Sequence, residues 1–448
     1  MRWRLRRPPE WGVEPVPSEK RILRGYDFFV LWFSLGVGLL VLATGALLTG
    51  LLGLTLLEAA AVTIAGSVIG SLMLAAAGLI GSRYGVPAMV SLRPVLGRRG
   101  SFVPTALNVV QLVGWTAFEV MIMGEAATKM LAAPQGSAVN FVLVGLFGAF
   151  CGLLAYGGPL VVVRQWLERF GVWFVIASTA VLTYALFTLP AAGGAWGGFQ
   201  SPPGLLLLGL DLVIVMPISW WPLVSDYNRF ARSPRAAAGG TALGYAAANV
   251  WFYVLGAGAV AILALGNPID AVLALALGGL PLLVLLVDET DNAFANLYSS
   301  AVSGQNLRPR LAQRRLVLLF TVLGIGLGAL LTALGGFAAA VATYEPFLLF
   351  IGGFFVPLLG VLAADWFLVR RGRYSIEEFG TAGPAWRAAP FVAWAVGTLV
   401  YFALNGILLL QVAPLLPAVG ASLPAFAVTV VLHAGLSRLA PAARPTAS

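Results

Sequence analysis

The sequence predicts an all-α integral membrane protein of twelve transmembrane helices, and three observations carry that reading. Apolar residues make up 60% of the 448-residue chain and charged residues only 10%; soluble domains run at roughly 45–50% and about 25%. Twelve stretches are apolar over the ~20 residues that a helix needs to cross ~30 Å of hydrocarbon. Every Lys and Arg except Lys129 falls on alternate segments between those stretches, which is the asymmetry of the positive-inside rule. An odd number of spans would scatter these residues to both sides.

The same composition excludes other classes. It rules out a water-soluble enzyme, and also a disordered chain, which would be polar and charge-rich. Cys151 has no partner for an intrachain disulfide. With His433 it cannot build a zinc cage, which takes about four ligands. The net charge of +9 reads as orientation and contact with anionic lipid, not as a nucleic-acid surface.

Taken in order, residues 1–27 read as a polar cytoplasmic tail, not a cleaved signal peptide. The first span, 28–52, carries Ser34-Leu35-Gly36-Val37-Gly38, which sets two glycines at mid-membrane. They either break the helix or only aid close packing. The second span is 54–81, and Arg83, Arg93, Arg98 and Arg99 follow it. The third, 103–128, places Asn108, Gln111, Trp115 and Glu119 at spacings that put all four on one helix face. The fourth and fifth are 138–157 and 170–189. The sixth, 204–224, contains Met216-Pro217-Ile218-Ser219 and then Pro222; proline removes a donor and clashes with the carbonyl four residues back. The remaining spans are 241–265, 280–303, 316–334, 346–369, 389–412 and 415–437. Broken spans one and six stand five apart. That spacing predicts two inverted five-helix repeats, 28–189 and 204–369, then two additional helices over 389–437 and a tail over 438–448.

Several functions drop out. A phosphate-binding loop needs a Lys after its glycines, and the two lysines, Lys20 and Lys129, lie elsewhere. Metal-dependent catalysis in the membrane would want His or Cys pairs. The short loops hold no catalytic domain. Secondary transport remains, with an ion channel as the competing class, and the chain is not expected to be an enzyme.

A carboxylate in hydrocarbon costs at least ~2.5 kcal/mol, so mid-span acids point to a site. On span three, an aromatic plate between an amide and a carboxylate suits a flat polar heterocycle. Trp115 would stack, Glu119 would pair with a ring amino group or ring nitrogen, and Gln111 can donate or accept. The alternative is a buried network joining helices. On span eight, Asp288, Asp291 and Asn292 form an oxygen-rich patch suited to a hard cation. So many acids require a counter-charge, so Na⁺ and H⁺ both stay open. Glu289, Asn292 and Asn296 form a neighbouring stripe that could face substrate. Among single residues, Asp211 is read as a cap or paired acid, Glu58 and Glu345 as solvated, Asp226 and Arg229 as a salt bridge or gate contact, Asp365 as lying near an inner helix end, and His433 as packed.

At this point the sequence resembles a known family. Ser219-Trp-Trp-Pro-Leu-Val-Ser-Asp-Tyr-Asn-Arg-Phe-Ala-Arg232 is similar to the sixth-helix motif of the nucleobase–cation symporters, type one. Pro17-Ser-Glu-Lys-Arg-Ile-Leu-Arg-Gly-Tyr-Asp27 with Leu31-Trp32 resembles their N-terminal signature. Gly85-Val-Pro87 through Arg93 and Gly100-Ser101 resembles their loop between helices two and three. The likeness runs from about residue 11 to about residue 410. Trp11-Gly-Val-Glu-Pro-Val-Pro17, Gln111 to Glu119 and Asp288 to Asn296 resemble the hydroxymethylpyrimidine permease branch of the purine/cytosine permease-like proteins.

The resemblance implies the leucine-transporter fold, with its 5+5 inverted repeat and two extra helices. It implies a base stacked on Trp115, with a side-chain amide at the position of Glu119. The carboxylate that stands there favours an aminopyrimidine over a hydantoin or a uracil-type imide. It implies a cation held by carbonyls near Ser34–Leu39, here Gly36 and Leu39, and by Asp288, Asp291 and Asn292. Relatives often stack an aromatic at the helix-six break; Pro217 or Ile218 falls there, with Trp220 as the substitute beside Ser219. The expected function is a symporter importing hydroxymethylpyrimidine with Na⁺ or H⁺, with a cytosine or purine permease as the alternative. The expected setting is the inner (plasma) membrane, both termini cytoplasmic, as a monomer or weak oligomer. No other cofactor and no nucleic-acid partner is expected, and the substrate-binding set is Gly36, Gln111, Trp115, Glu119, Ser219, Trp220, Glu289, Asn292 and Asn296.

Overall fold

In lipid only a helix satisfies the backbone of a single segment, so long apolar runs become helices. The computed structural model describes residues 11–158, 171–275, 279–380, 383–407, 410–415 and 419–439. Span one is two helices, α1 (Gly25–Ser34) and α2 (Leu39–Gly50), bent by 63° across Leu35 to Gly38. Then come α3 (Leu56–Tyr84), α4 (Phe102–Met130), α5 (Ala138–Gly157) and α6 (Val172–Phe187). Span six is α7 (Pro203–Ser219) and α8 (Trp221–Asn228), followed by α9 (Pro234–Leu263) and the short α10 (Pro268–Ala274). Next are α11 (Leu280–Leu307), α12 (Gln313–Ala333), and α13 (Gly336–Ala363) with its π-helical extension Ala364–Val369. The last two are α14 (Ala388–Asn405) and α15 (Ser422–Leu439).

Among the described residues nine helices are long and apolar enough to cross a membrane, or ten with α1 and α2 as one span. The sixteen-residue α6 and the acid-bearing α11 occupy the fifth and eighth apolar runs of the sequence. Span eleven stops at Asn405 rather than 412. Parts of the predicted tails, of spans eleven and twelve, and Arg164 and Arg169 lie outside the described residues.

The helices pack as two groups. Helices α1, α2, α3, α7, α8 and α9 contact one another, and α4, α5, α11 and α12 form the second group. Helices five spans apart in sequence pair directly: α3 with α9, α4 with α11, α5 with α12. Small residues also bring α3 close to α7 and α9 close to α2. A Cβ on Gly70 of α3 would lie 2.3 Å from the Pro217 ring, and one on Gly256 of α9 would lie 1.9 Å from the Leu42 carbonyl oxygen.

Two expectations need correction, and the N-terminal segment adds a finding. Pro217 does not end α7. The interruption comes at Trp220, where the amide bonds the Pro217 carbonyl at 3.2 Å before Pro222 opens α8. Glu58 is buried rather than solvated. It accepts from the Thr55, Gln200 and Ser201 amides and the Ser201 hydroxyl at 2.9, 2.6, 2.7 and 2.7 Å, tying the start of α3 to the loop before α7. Residues 11–24 pack against the helices. Val16 and Leu23 are buried, the Leu23 amide donates to the Phe230 carbonyl at 3.0 Å, and Arg21 binds carbonyls of Val16, Arg83 and Tyr84.

The remaining single residues have plain roles. Asp211 accepts from the Ser422 amide at 2.7 Å, capping α15. Asp226 accepts from the Ala88 amide, while Arg229 donates to the Gly12 carbonyl and the Tyr298 hydroxyl, so the expected pair between them is replaced by separate bonds. His433 is buried, as expected, and lies 3.2 Å from Asp365. Lys129, the one cation off the basic side, is held by Asp270 at 2.8 Å and Glu125 at 3.4 Å.

Candidate functional site

The bend in span one leaves backbone groups that a straight helix would satisfy internally. Side chains of α11 satisfy them instead. Glu289 Oε2 accepts from the Leu39 amide at 3.0 Å, at the start of α2, where a negative charge suits the helix dipole. Asn292 Nδ2 donates to the Val37 carbonyl at 3.0 Å, and the Ser34 hydroxyl donates to Asp288 Oδ1 at 2.7 Å. The approach is so close that a Cβ on Gly38 would lie 2.9 Å from Glu289 Oε2.

Against this junction lies a small cavity of about 20 Å³, lined by both broken spans and by the polar faces of α4 and α11. Helix α4 contributes Trp115 and Glu119, and α11 contributes Glu289, Asn292 and Asn296. The break of span six contributes Met216, Ser219, Trp220 and Leu223; the break of span one contributes Leu35, Gly38, Leu40 and Val41; α13 contributes Tyr344. Trp115 is fixed edge-on by Tyr344 and Phe347, with centroids 5.7 and 5.2 Å away. Trp220 meets Trp32 edge-on at 6.3 Å. The Tyr344 hydroxyl lies 3.0 Å from the Thr44 hydroxyl, joining α13 to α2.

The Glu119 and Glu289 carboxyls stand close together on the cavity wall, and Glu119 Oε2 and Glu289 Oε1 find no hydrogen-bond partner among the described residues. Two neighbouring carboxyls can hold one proton between them, which makes one of them a donor. The pair therefore offers both acceptors and a donor to a ligand.

Most of the sequence-derived set comes together here: Trp115, Glu119, Ser219, Trp220, Glu289, Asn292 and Asn296 all border the cavity. Two do not. Gly36 packs on α9, where a Cβ would lie 2.8 Å from Ala248 Cβ, and Gly38 takes the cavity position. Gln111 lies off the cavity and donates to Asn108 Oδ1 at 2.7 Å, while Asn108 donates to the Pro222 carbonyl and the Ser303 hydroxyl. Tyr344 is the polar wall residue that sequence reasoning missed. It stands just before the apolar run assigned to span ten, and α13 begins earlier than that run.

Of the acidic and amide cation ligands proposed on α11, Asn292 borders the cavity, and Asp288 and Asp291 do not. Asp288 Oδ2, both Asp291 carboxylate oxygens and Asn292 Oδ1 are buried with no hydrogen-bond partner among the described residues. These atoms, like the Ser34 hydroxyl that donates to Asp288, are oxygen donors of the kind a hard cation takes. Leu39 meets α11 through its amide, which Glu289 occupies, and Gly36 faces away. Among the described residues no three His, Cys, Asp or Glu side chains converge as a metal-binding group.

Comparisons with known proteins agree with this architecture. The chain is similar to a hydantoin permease of Microbacterium maritypicum, 23% identical over 410 residues, which cover 85% of this chain and 81% of that one. It is similar to the cytosine permease of Escherichia coli strain K12, 26% identical over 318 residues, which cover 68% of each. Among solved structures it shares the fold of Mhp1, a nucleobase-cation-symport-1 family transporter in a closed conformation with bromovinylhydantoin bound. The TM-score is 0.78 at 20% identity, covering 96% of this chain and 95% of that one. A Na⁺-coupled sialic acid symporter has the same fold at TM-score 0.64 and 13% identity, covering 94% and 91%. The homologues are permeases, not enzymes. A family profile described as permease for cytosine/purines, uracil, thiamine, allantoin matches residues 15–421, and the chain belongs to that family.

Proposed function

We propose that the chain imports an aminopyrimidine, hydroxymethylpyrimidine foremost, together with Na⁺ or H⁺, by alternating access across the inner membrane. The observation that carries this reading is the Glu119–Glu289 carboxyl pair on the wall of an aromatic-lined cavity. An aminopyrimidine presents an amino group beside a ring nitrogen. Glu119 accepts from the amino group, and the shared proton serves the ring nitrogen, while Trp115 and Trp220 supply the faces for a planar ring. An imide presents NH between two carbonyls and pairs less well with a carboxylate. Cytosine has the same amino edge, and the family description names cytosine, so a cytosine permease is the second reading.

The coupled cation sits among Ser34, Asp288, Asp291 and Asn292, at the joint of α1 with α11. Holding that joint closed completes one wall of the cavity, so cation and substrate favour each other's binding, and the coupling is reciprocal. The pairing of helices five spans apart supports twelve spans built as an inverted 5+5 repeat plus two helices. The excess of arginine on one side supports cytoplasmic termini.

Uptake of radiolabelled hydroxymethylpyrimidine into proteoliposomes, with imposed Na⁺ or pH gradients and cytosine as competitor, tests the reading. Saturable, gradient-driven uptake is expected. Vesicles that concentrate cytosine or a purine but not hydroxymethylpyrimidine would overturn the substrate and leave the family intact. Glu119→Gln replaces the carboxylate with an amide and should move the cytosine-to-uracil preference at least tenfold toward the imide. An unchanged ranking would show that Glu119 does not read the ring.

A further inference from the structure

On the basic side of the protein lies a second recess, of about 720 Å³, which shares no lining residue with the first cavity. Arg83 from the end of α3, Arg235 from the first turn of α9 and Arg371 from the turn after the π-helical segment all line it. None of its lining residues is acidic, and none of the three arginines forms an ion pair among the described residues. The Arg83 guanidinium lies 5.9 Å from the Trp366 ring. Arg371 has a φ of +51°, a left-handed conformation that side chains other than Gly adopt at a cost. Its turn is pinned from behind: the Arg370 amide bonds the Asp365 carbonyl and the Gly372 amide bonds the Trp366 carbonyl, both at 2.7 Å. π-Helical turns of this kind recur at functional positions.

Trp366 and Phe367 also wall a third recess, of about 170 Å³, which runs between α3, α13 and α15. All its lining residues are apolar, among them Met73, Ala76, Leu362 and Phe426. Phe367 and Leu368 are exposed, with relative accessibilities of 47% and 55%. A cationic recess thus continues into an apolar one across a shared tryptophan and phenylalanine. Three uncompensated guanidinium groups call for an anion. The apolar extension calls for a hydrocarbon chain on the same molecule.

We propose that the two recesses are one binding site for an anionic phospholipid of the leaflet at the basic face, with its phosphate among Arg83, Arg235 and Arg371 and one acyl chain between α3, α13 and α15. A lipid seated there links α3 and α9 of the first helix group to α13 and α15.

The test is thermal unfolding of the purified full chain in maltoside detergent, titrated with dioctanoyl-phosphatidylglycerol, dioctanoyl-phosphatidylcholine or inorganic phosphate. Phosphatidylglycerol should raise the midpoint saturably, and the other two should not at equal concentration. The triple variant Arg83→Gln/Arg235→Gln/Arg371→Gln should bind phosphatidylglycerol about 100-fold more weakly, roughly fivefold per arginine. Ala76→Leu, which narrows the apolar recess, should also weaken it. Equal stabilisation by phosphatidylcholine, or unchanged affinity in the triple variant, would overturn the site. A full shift from inorganic phosphate alone would replace the lipid with a soluble anion. If the triple variant does not fold, native mass spectrometry decides: Ala76→Leu should lose co-purified anionic phospholipid, and retention equal to wild type refutes the proposal.

Discussion

Replacing Gly38 with alanine strikes the joint on which the proposed coupling rests. The added Cβ would lie 2.9 Å from Glu289 Oε2 and 3.1 Å from Asn292 Nδ2, whereas ordinary contact begins near 3.4 Å. The carboxylate must therefore retreat by about 0.5 Å, which takes its 3.0 Å bond from the Leu39 amide beyond the usual limit of about 3.2 Å. A hydrogen bond to a charged group is worth about 1.5–3 kcal/mol, and the strained Asn292–Val37 bond about 0.5–1.5 kcal/mol more. Losing most of both costs about 2–4 kcal/mol, which is about 30-fold or more in affinity at roughly 1.4 kcal/mol per tenfold. Equilibrium binding of labelled substrate to purified Gly38→Ala reads this directly, with the unfolding midpoint measured beside it. A folded variant that binds within threefold of wild type would refute the claim that the α1–α11 joint shapes the site.

The comparator is Gly36→Ala, whose Cβ would press on Ala248 at 2.8 Å; it should lower the unfolding temperature while the folded protein keeps its substrate ranking. Trp115→Ala should weaken substrate binding about 5- to 150-fold, since base–aromatic stacking is worth ~1–3 kcal/mol, and Trp115→Phe should restore most of it; normal binding by the alanine variant would remove Trp115 from the site. Glu58→Ala leaves three amides and a hydroxyl without their acceptor, which should cost about 2–4 kcal/mol of stability. Its thermal unfolding should shift down while substrate affinity stays unchanged, and an unshifted midpoint would contradict the burial of that carboxylate.

The polar stripe of span eight shows how far linear reading goes. Glu289, Asn292 and Asn296 are spaced to share a face, and all three border the cavity. Their burial could be inferred because a carboxylate costs so much in hydrocarbon that it needs a reason to be there. What spacing could not supply was the partner. Only the fold shows that Glu289 reaches across 250 positions to the Leu39 amide, while its neighbour Asp288 turns to Ser34.

The sequence alone determined what depends on composition and period: the membrane setting, the apolar runs, the basic face, and the helix sides bearing Trp115, Glu119 and Glu289. These follow from transfer cost and helical repeat, which are properties of a segment by itself. Tertiary structure decided the rest. It chose Gly38 over Gly36, because α9 claims the latter's face. It moved the break of span six from Pro217 to Trp220, because the proline ring packs into the space left by Gly70 and the helix continues past it. It brought Tyr344 to the cavity, and it buried Glu58 under the loop before α7. Each of these outcomes is set by which helix lies opposite, and that depends on the packing of segments far apart in the chain.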